Sequence, residues 1–199
     1  MDSIIFRVIT AVLLVVFIVH RGYYTRKVRH ADESVLEQPA PGRVSQIAGV
    51  LALLAFLSTA IYLFFPSWIS WAALPFPSWL RWLGDGVALA GFALLQWSQQ
   101  TLGRNWSDAP KLVDSQKLVV DGPYQWIRHP IYASFLLILG SLLFITANWL
   151  VGGLWLGMAG LDITSRMKVE EAMMLGRFGE QYQSYMQRTG RLVPRIRRS

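Results

Sequence analysis

The 199-residue chain contains no cysteine. That excludes a disulfide framework, a thiolate metal site and a cysteine nucleophile, and it leaves the compartment open. Charge is also scarce. Asp, Glu, Lys and Arg make up 16% of the residues, while 53% are apolar; soluble domains carry about 25% charged residues. A disordered chain is excluded, and an ordinary soluble domain does not fit. No G-x-G-x-x-G follows a strand pattern and no Walker A sequence is present, so a Rossmann-type nucleotide fold is not expected. The three histidines, His20, His30 and His129, are scattered and no H-E-x-x-H occurs, so no metal site is expected. No serine–histidine–aspartate context, internal repeat or low-complexity tract is visible.

What the chain does have is apolar runs. Five stand out: Ser3–Val19, Ile47–Phe65, Gly86–Leu102, Ile131–Ala147 and Trp149–Ile163. Ile47–Phe65 is uncharged throughout and long enough to cross a hydrocarbon core of about 30 Å as a helix. Gly86–Leu102 turns polar after Leu95, at Gln96, Ser98, Gln99 and Gln100. Only Asn148 separates the last two runs, which predicts a tight helical hairpin. Ser3–Val19 could be a signal peptide, but no small-residue cleavage site follows it, and it reads better as an anchor. The expected fold is therefore an all-α integral membrane protein of about five transmembrane helices, with a C-terminal helix lying on the cytoplasmic side. It forms a single membrane domain, residues 1–199. Residues 1–101 supply the first three spans and 102–199 the chemistry.

The net charge of +7 is explained by topology. Of 19 Lys and Arg, all but Arg7 and Arg81 fall in His20–Arg43, Leu102–His129 and Thr164–Ser199. These are alternate loops plus the tail, and the positive-inside rule places them in the cytoplasm, with the N-terminus outside and the C-terminus inside. The opposite loop holds Trp68, Trp71, Trp79 and Trp82, which suits a membrane–water interface. A nucleic-acid partner is not expected.

The polar residues that could carry chemistry concentrate after Gln96. In Gly122-Pro123-Tyr124-Gln125-Trp126-Ile127-Arg128-His129-Pro130-Ile131-Tyr132, Gly-Pro marks a turn and Pro130 suits a first helical turn. Arg128 and His129 then stand at a helix N-terminus, where free N–H groups can hold an anion; equally, Arg128 could reach lipid phosphate and His129 could cap the helix. Arg166 and Glu170 share a helix face at i, i+4, and Asp162 extends the stripe one turn back as a partner for Arg166. A surface ion pair and a ligand contact both fit that spacing. Phe178, Tyr182 and Tyr185 form a stripe suited to docking the tail under the bundle. Gly153 and Gly157 make a small-xxx-small pair expected to bring the hairpin helices together, with Gly140 and Ser141 midway along the other helix.

Taken together, LVVDGPYQWIRHPIY over Leu118–Tyr132, the Arg166-Met167-Lys168-Val169-Glu170-Glu171 block and the FGEQYQSYMQRTGRLVP tail resemble the isoprenylcysteine carboxyl methyltransferase family. Its superfamily includes the membrane phospholipid N-methyltransferases. The resemblance covers roughly Leu102–Pro194. It implies S-adenosylmethionine as methyl donor, with S-adenosylhomocysteine as product. It implies that Gln116, Lys117, Leu118 and Val119 line the adenosine and that Tyr124 packs on the cofactor. His129, Pro130, Ile131 and Tyr132 would hold its amino-acid end and sulfonium region. Glu170 would contact the cofactor and Arg166 the substrate, as the catalytic pair, while Arg128 would be structural or anion-binding. The acceptor would be a lipophilic small molecule or lipidated substrate met among membrane lipids, with carboxyl O-methylation leading. The chain has five runs, as the short prokaryotic members do, so a smaller lipophilic acid, a thiol, an amine or a phospholipid head group stays open. Two other classes compete: an NADPH-dependent sterol-type membrane reductase, which shares an R-H-P-x-Y-like helix start, and a non-enzymatic lipid-binding membrane protein.

Overall fold

A computed structural model describes residues 2–29, 35–37, 43–103, 112–113 and 117–195. Among these, five α-helices carry the architecture: α1 (Asp2–Arg29), α2 (Arg43–Phe64), α3 (Ser78–Leu102), α4 (Pro130–Thr146) and α5 (Trp149–Arg188). The chain is not wholly helical. Strand β1 (Val35–Glu37) pairs antiparallel with β2 (Leu112–Val113), joining the two basic loops. No periodicity marks such short, distant segments as partners.

Two helical stretches, Ile4–Arg26 and Arg43–Phe64, are long and apolar enough to cross a membrane, and α4 is a shorter apolar helix. Helices α3 and α5 carry more polar residues. The apolar side chains of α1 and α2 are not covered by protein: Val12 is 56% and Leu53 61% exposed. Buried core helices do not look like this, and a contiguous apolar surface of this kind marks contact with a membrane or another apolar partner.

One end of the bundle explains the two basic residues that break the charge pattern. Arg81, near the start of α3, donates from Nε and Nη2 to the Ile145 carbonyl at 2.9 and 2.7 Å. It also donates to the Tyr62 hydroxyl at 3.3 Å and lies 3.8 Å from the Phe6 ring centroid. Arg7, near the start of α1, donates to the Leu63 carbonyl at 3.2 Å. Each arginine supplies a missing partner to the last turn of a neighbouring helix, where carbonyls lack intrahelical donors and a cation is favoured. The same contacts set the N-terminal ends of α1 and α3 beside the C-terminal ends of α2 and α4, so these helices alternate in direction.

Asn148 makes the hairpin as its isolation between two apolar runs predicts. Ala147 turns the chain with a φ of 47°. The Asn148 side chain then caps α5, accepting from the Leu150 and Val151 N–H groups at 3.1 Å, and its Nδ2 donates to the Ile69 carbonyl at 3.0 Å. The small-residue expectation needs correction. Gly153 and Gly157 face open space, and a Cβ on either would meet nothing within 4 Å. The close approach belongs to Gly152, where a Cβ would overlap Leu143 Cα, and to Gly91 of α3, where it would lie 2.8 Å from Ile138 Cγ1. A one-residue step rotates a helix position by about 100°, and the lone sequence does not say which face meets the neighbour. Gly152→Ala is therefore expected to destabilise the protein by about 1–3 kcal/mol through overpacking, and Gly153→Ala to be nearly neutral. Thermal unfolding of both variants in detergent checks this; equal shifts would remove the backbone contact.

The fifth apolar run continues as helix through the charged block, and a kink at Gly179 (φ 49°, ψ −124°) sets off a last helical stretch ending at Arg188, where the sequence predicts a tail helix. No proline interrupts this stretch, and its charged residues are good helix formers. Gly179 takes the left-handed conformation that side chains disfavour.

Candidate active site

The opposite end of the bundle brings together residues from three separate segments. Pro130 is buried in the first turn of α4, with His129 immediately before it at the cap position. The stretch ahead of it is fastened to the tail by backbone pairing. Gly190 N–H donates to the Trp126 carbonyl at 3.0 Å, Arg128 N–H to the Gly190 carbonyl at 2.8 Å and His129 N–H to the Arg191 carbonyl at 3.0 Å. The tail thus takes the N–H groups of Arg128 and His129, the two residues just ahead of the helix.

The anion that Arg128 and His129 meet is internal. Glu171, buried on α5, accepts from Arg128 Nε at 3.1 Å and from Arg191 Nε at 3.2 Å, and it also pairs with Arg191 Nη2. His129 Nε2 faces its Oε1 at 3.4 Å. Arg128, 9% exposed, donates from Nη1 to the Met186 and Thr189 carbonyls and so closes the C-terminal end of α5. Its role is structural. Burial pushes the Glu171 carboxyl up, but the hydrogen bonds from His129, Arg191 and Arg128 outweigh this and hold it at about 2.

Glu170, the adjacent residue, points to the other side of the same histidine. Its Oε2 lies 3.5 Å from His129 Nδ1, and its Oε1 accepts a short hydrogen bond from the Tyr132 hydroxyl. The His129 and Tyr132 rings stack at 5.6 Å. Both imidazole nitrogens thus face carboxylates, and only the doubly protonated ring can donate to both. Burial lowers the His129 pKa, but Glu170 and Glu171 outweigh it and raise it above the ordinary value of 6.5. A raised pKa contributes stability that is complete below the ordinary value and fades as pH climbs through the raised one. Glu171 is shifted the other way, so its contribution is present above about 4.5 and is lost as pH falls toward 2. The unfolding temperature is expected to hold a plateau and then decline on the alkaline side. That alkaline limb should shrink in His129→Gln; a limb of unchanged size in a pH series of melting curves would refute the charged histidine.

Arg166 stands one turn before Glu170 and pairs with Asp162, Nε to Oδ2, at 2.8 Å. Tyr124 is buried in the turn preceding Arg128, and its carbonyl accepts from the Tyr185 hydroxyl at 2.6 Å. Tyr182 and Tyr185 are buried, so the tail docks with this part of the expected stripe. Phe178 does not continue it, because Gly179 breaks the helix between them. Lys117, Leu118 and Val119 lie on an irregular stretch leading to the turn, with Leu118 and Val119 partly exposed. Ile131 packs against the hydrophobic core, and Gln116 lies outside the described residues.

The structure therefore gathers His129, Tyr132, Glu170 and Arg166 at one end of α4 and α5, with Tyr124 beneath. Glu171 and Arg191 were missed as a centre. The available signal was the doubled Glu170-Glu171: adjacent helical positions face different directions, so such a pair serves two surroundings.

Comparison with known proteins gives a likeness to one family. Residues 84–176 match the model of the isoprenylcysteine carboxyl methyltransferase family. The protein-S-isoprenylcysteine O-methyltransferase of Tribolium castaneum is 30% identical over 116 residues, which is 57% of this chain and 41% of the relative. The solved structure of a eukaryotic intramembrane Ras methyltransferase, an isoprenylcysteine carboxyl methyltransferase, is similar at a TM-score of 0.56 and 26% identity, covering 79% of this chain and 55% of that one. The chain thus spans about half the length of these relatives or less. The matched segment contains α4, the hairpin and the Arg166–Glu171 block, and over it the chain is similar to the isoprenylcysteine carboxyl methyltransferase family.

Proposed function

We propose that the protein is a multi-pass membrane methyltransferase that uses S-adenosylmethionine to methylate the carboxylate of a lipophilic acceptor of the isoprenylcysteine type. The observation that carries this reading is the meeting of Glu170, Tyr132 and His129 one helical turn from Arg166, inside the family-matched segment.

The residues suit that donor. Its amino group needs a reachable anion, and the Glu170 side chain is 28% exposed. Its carboxylate needs a cation, and His129, whose pKa the two neighbouring acids raise, stands at that end. Its adenine needs a flat apolar surface, which Leu118 and Val119 offer beside the buried Tyr124. Pro130 and Ile131 fix the helix start on which His129 and Tyr132 stand, and Gln116 and Lys117 precede Leu118 on the approach. When bound, the donor supplies an electrophilic methyl on a sulfonium.

The chain's own contribution is placement. A carboxylate acceptor is ionised at pH 7 and needs no strong base. Arg166 can grip it through a planar fork, and orientation alone can be worth effective molarities on the order of 10⁵–10⁸ M. Residues 1–101 form the apolar support and 102–199 the catalytic half. The charge of the basic loops supports a cytoplasmic location for the site's end of the bundle, with the N-terminus outside and the C-terminus inside. The polar donor then arrives from solution and the lipophilic acceptor from the bilayer.

Calorimetric titration of the detergent-purified protein tests this. Saturable binding of S-adenosylhomocysteine, with none of NADPH, is expected. Binding of NADPH alone would move the protein to the reductases, and binding of neither, with acceptor and bilayer lipid added back, would favour a non-enzymatic lipid-binding protein.

A further inference from the structure

Asp162, Arg166 and Glu170 occupy successive turns on one face of α5, so Arg166 has an acid within reach on either side. The structure resolves this choice in one direction. Arg166 pairs with Asp162 at 2.8 Å, while Glu170 is turned away to Tyr132 and His129. Both members of the Arg166–Asp162 pair are about a quarter exposed, at 26% and 29%. The proposed transfer makes no use of the Asp162 carboxylate, and Asp162 lies outside the motif that carries the family resemblance.

We propose that Asp162 is the resting counter-ion of Arg166 and a specificity-determining residue: its carboxylate occupies the place that an acceptor carboxylate takes, and the acceptor must displace it to be held. This rests on the reading of Arg166 as the acceptor clamp.

Two consequences follow from the geometry. With Asp162 present, the guanidinium has a counter-ion of its own, while Glu170 keeps its contacts to Tyr132 and His129 before any acceptor arrives. The contact also selects among acceptors. An ion pair this exposed is worth no more than about fivefold in an equilibrium constant. A ligand carboxylate that engages the guanidinium through two parallel hydrogen bonds can outcompete it. A neutral amide or ester has no charge with which to displace Asp162, so it gains nothing from Arg166. The residue therefore sets a threshold passed by anionic lipophilic acceptors and not by their neutral analogues.

The test uses the full chain in lipid nanodiscs, with N-acetyl-S-farnesylcysteine as acceptor and its carboxamide as competing ligand. Asp162→Asn is expected to lower the KM for the acid by about fivefold. It should leave kcat and S-adenosylhomocysteine affinity within about twofold and leave the Ki of the carboxamide unchanged. Asp162→Glu, which restores the charge, should return KM toward the wild-type value. Direct titration of the acid without donor should show the same tightening. An unchanged or raised KM in Asp162→Asn, or equal shifts for acid and carboxamide, overturns the proposal while leaving the methyltransferase reading intact. A wild-type protein that neither binds nor methylates the acid overturns the clamp reading and this proposal together.

Discussion

Glu171→Ala is expected to cost the protein roughly 3–5 kcal/mol, the loss typical of breaking a buried ion pair by removing one partner. The carboxylate is 6% exposed and meets Arg128, Arg191 and His129. Its removal leaves Arg128, itself 9% exposed, and a charged His129 with no anion on that side. Arg191, about half exposed, can turn to solvent and adds little to the loss. The backbone pairing of Gly190 and Arg191 with residues 126–129 depends on the same centre, so the tail should detach as the network fails. Because a loss of this size lowers the yield of folded protein, Glu171→Gln, which keeps the shape and removes the charge, is the second arm. Melting curves in detergent and protease sensitivity of the tail are the measurements. An alanine variant within about 1 kcal/mol of wild type would show that Glu171 is not the centre that holds this end together.

The neighbouring substitution should do the opposite. Glu170→Ala is expected to leave the melting temperature nearly unchanged and to weaken S-adenosylhomocysteine binding by roughly 10- to 150-fold, the range of one hydrogen bond to a charged group. Glu170 is partly exposed, and its Tyr132 and His129 contacts orient it without burying it. His129 keeps Glu171 as a counter-ion when Glu170 is removed. Calorimetric titration is decisive: unchanged affinity removes Glu170 from the donor site, and a collapse in melting temperature makes it a structural residue like Glu171. Two adjacent glutamates, one affecting ligand affinity and the other stability, are a sharper expectation than either alone.

Much of this was legible because certain residues leave little choice. A single Asn between two apolar runs has to be a turn and a cap, and Asn148 is both. Pro130 after His129 has to open a helix. Asp162, Arg166 and Glu170 share a face wherever the helix goes. What was illegible depends on rotation and on distant partners. Gly152 and Gly153 are indistinguishable until the neighbour's position is known, and so are Glu170 and Glu171. The arginine caps at Leu63 and Ile145 join residues far apart in the chain. The pairing of β1 with β2 has no pattern that a lone sequence displays. The tail's capture of the N–H groups ahead of α4 needed the fold, because nothing in Gly190-Arg191 advertises it.

The unbroken course of α5 from Trp149 past the catalytic block makes the helix a ruler. At 1.5 Å per residue, Arg166 stands about 26 Å along the axis from Trp149, close to the roughly 30 Å thickness of a hydrocarbon core. In the proposed multi-pass arrangement, the depth of the site is set by helical rise, counted from the indole of Trp149 at the far interface. An acceptor is reached only if its head group floats at that height. Changing lipid chain length should thus tune turnover without altering a single protein contact, through the tilt or thinning that a mismatched helix imposes.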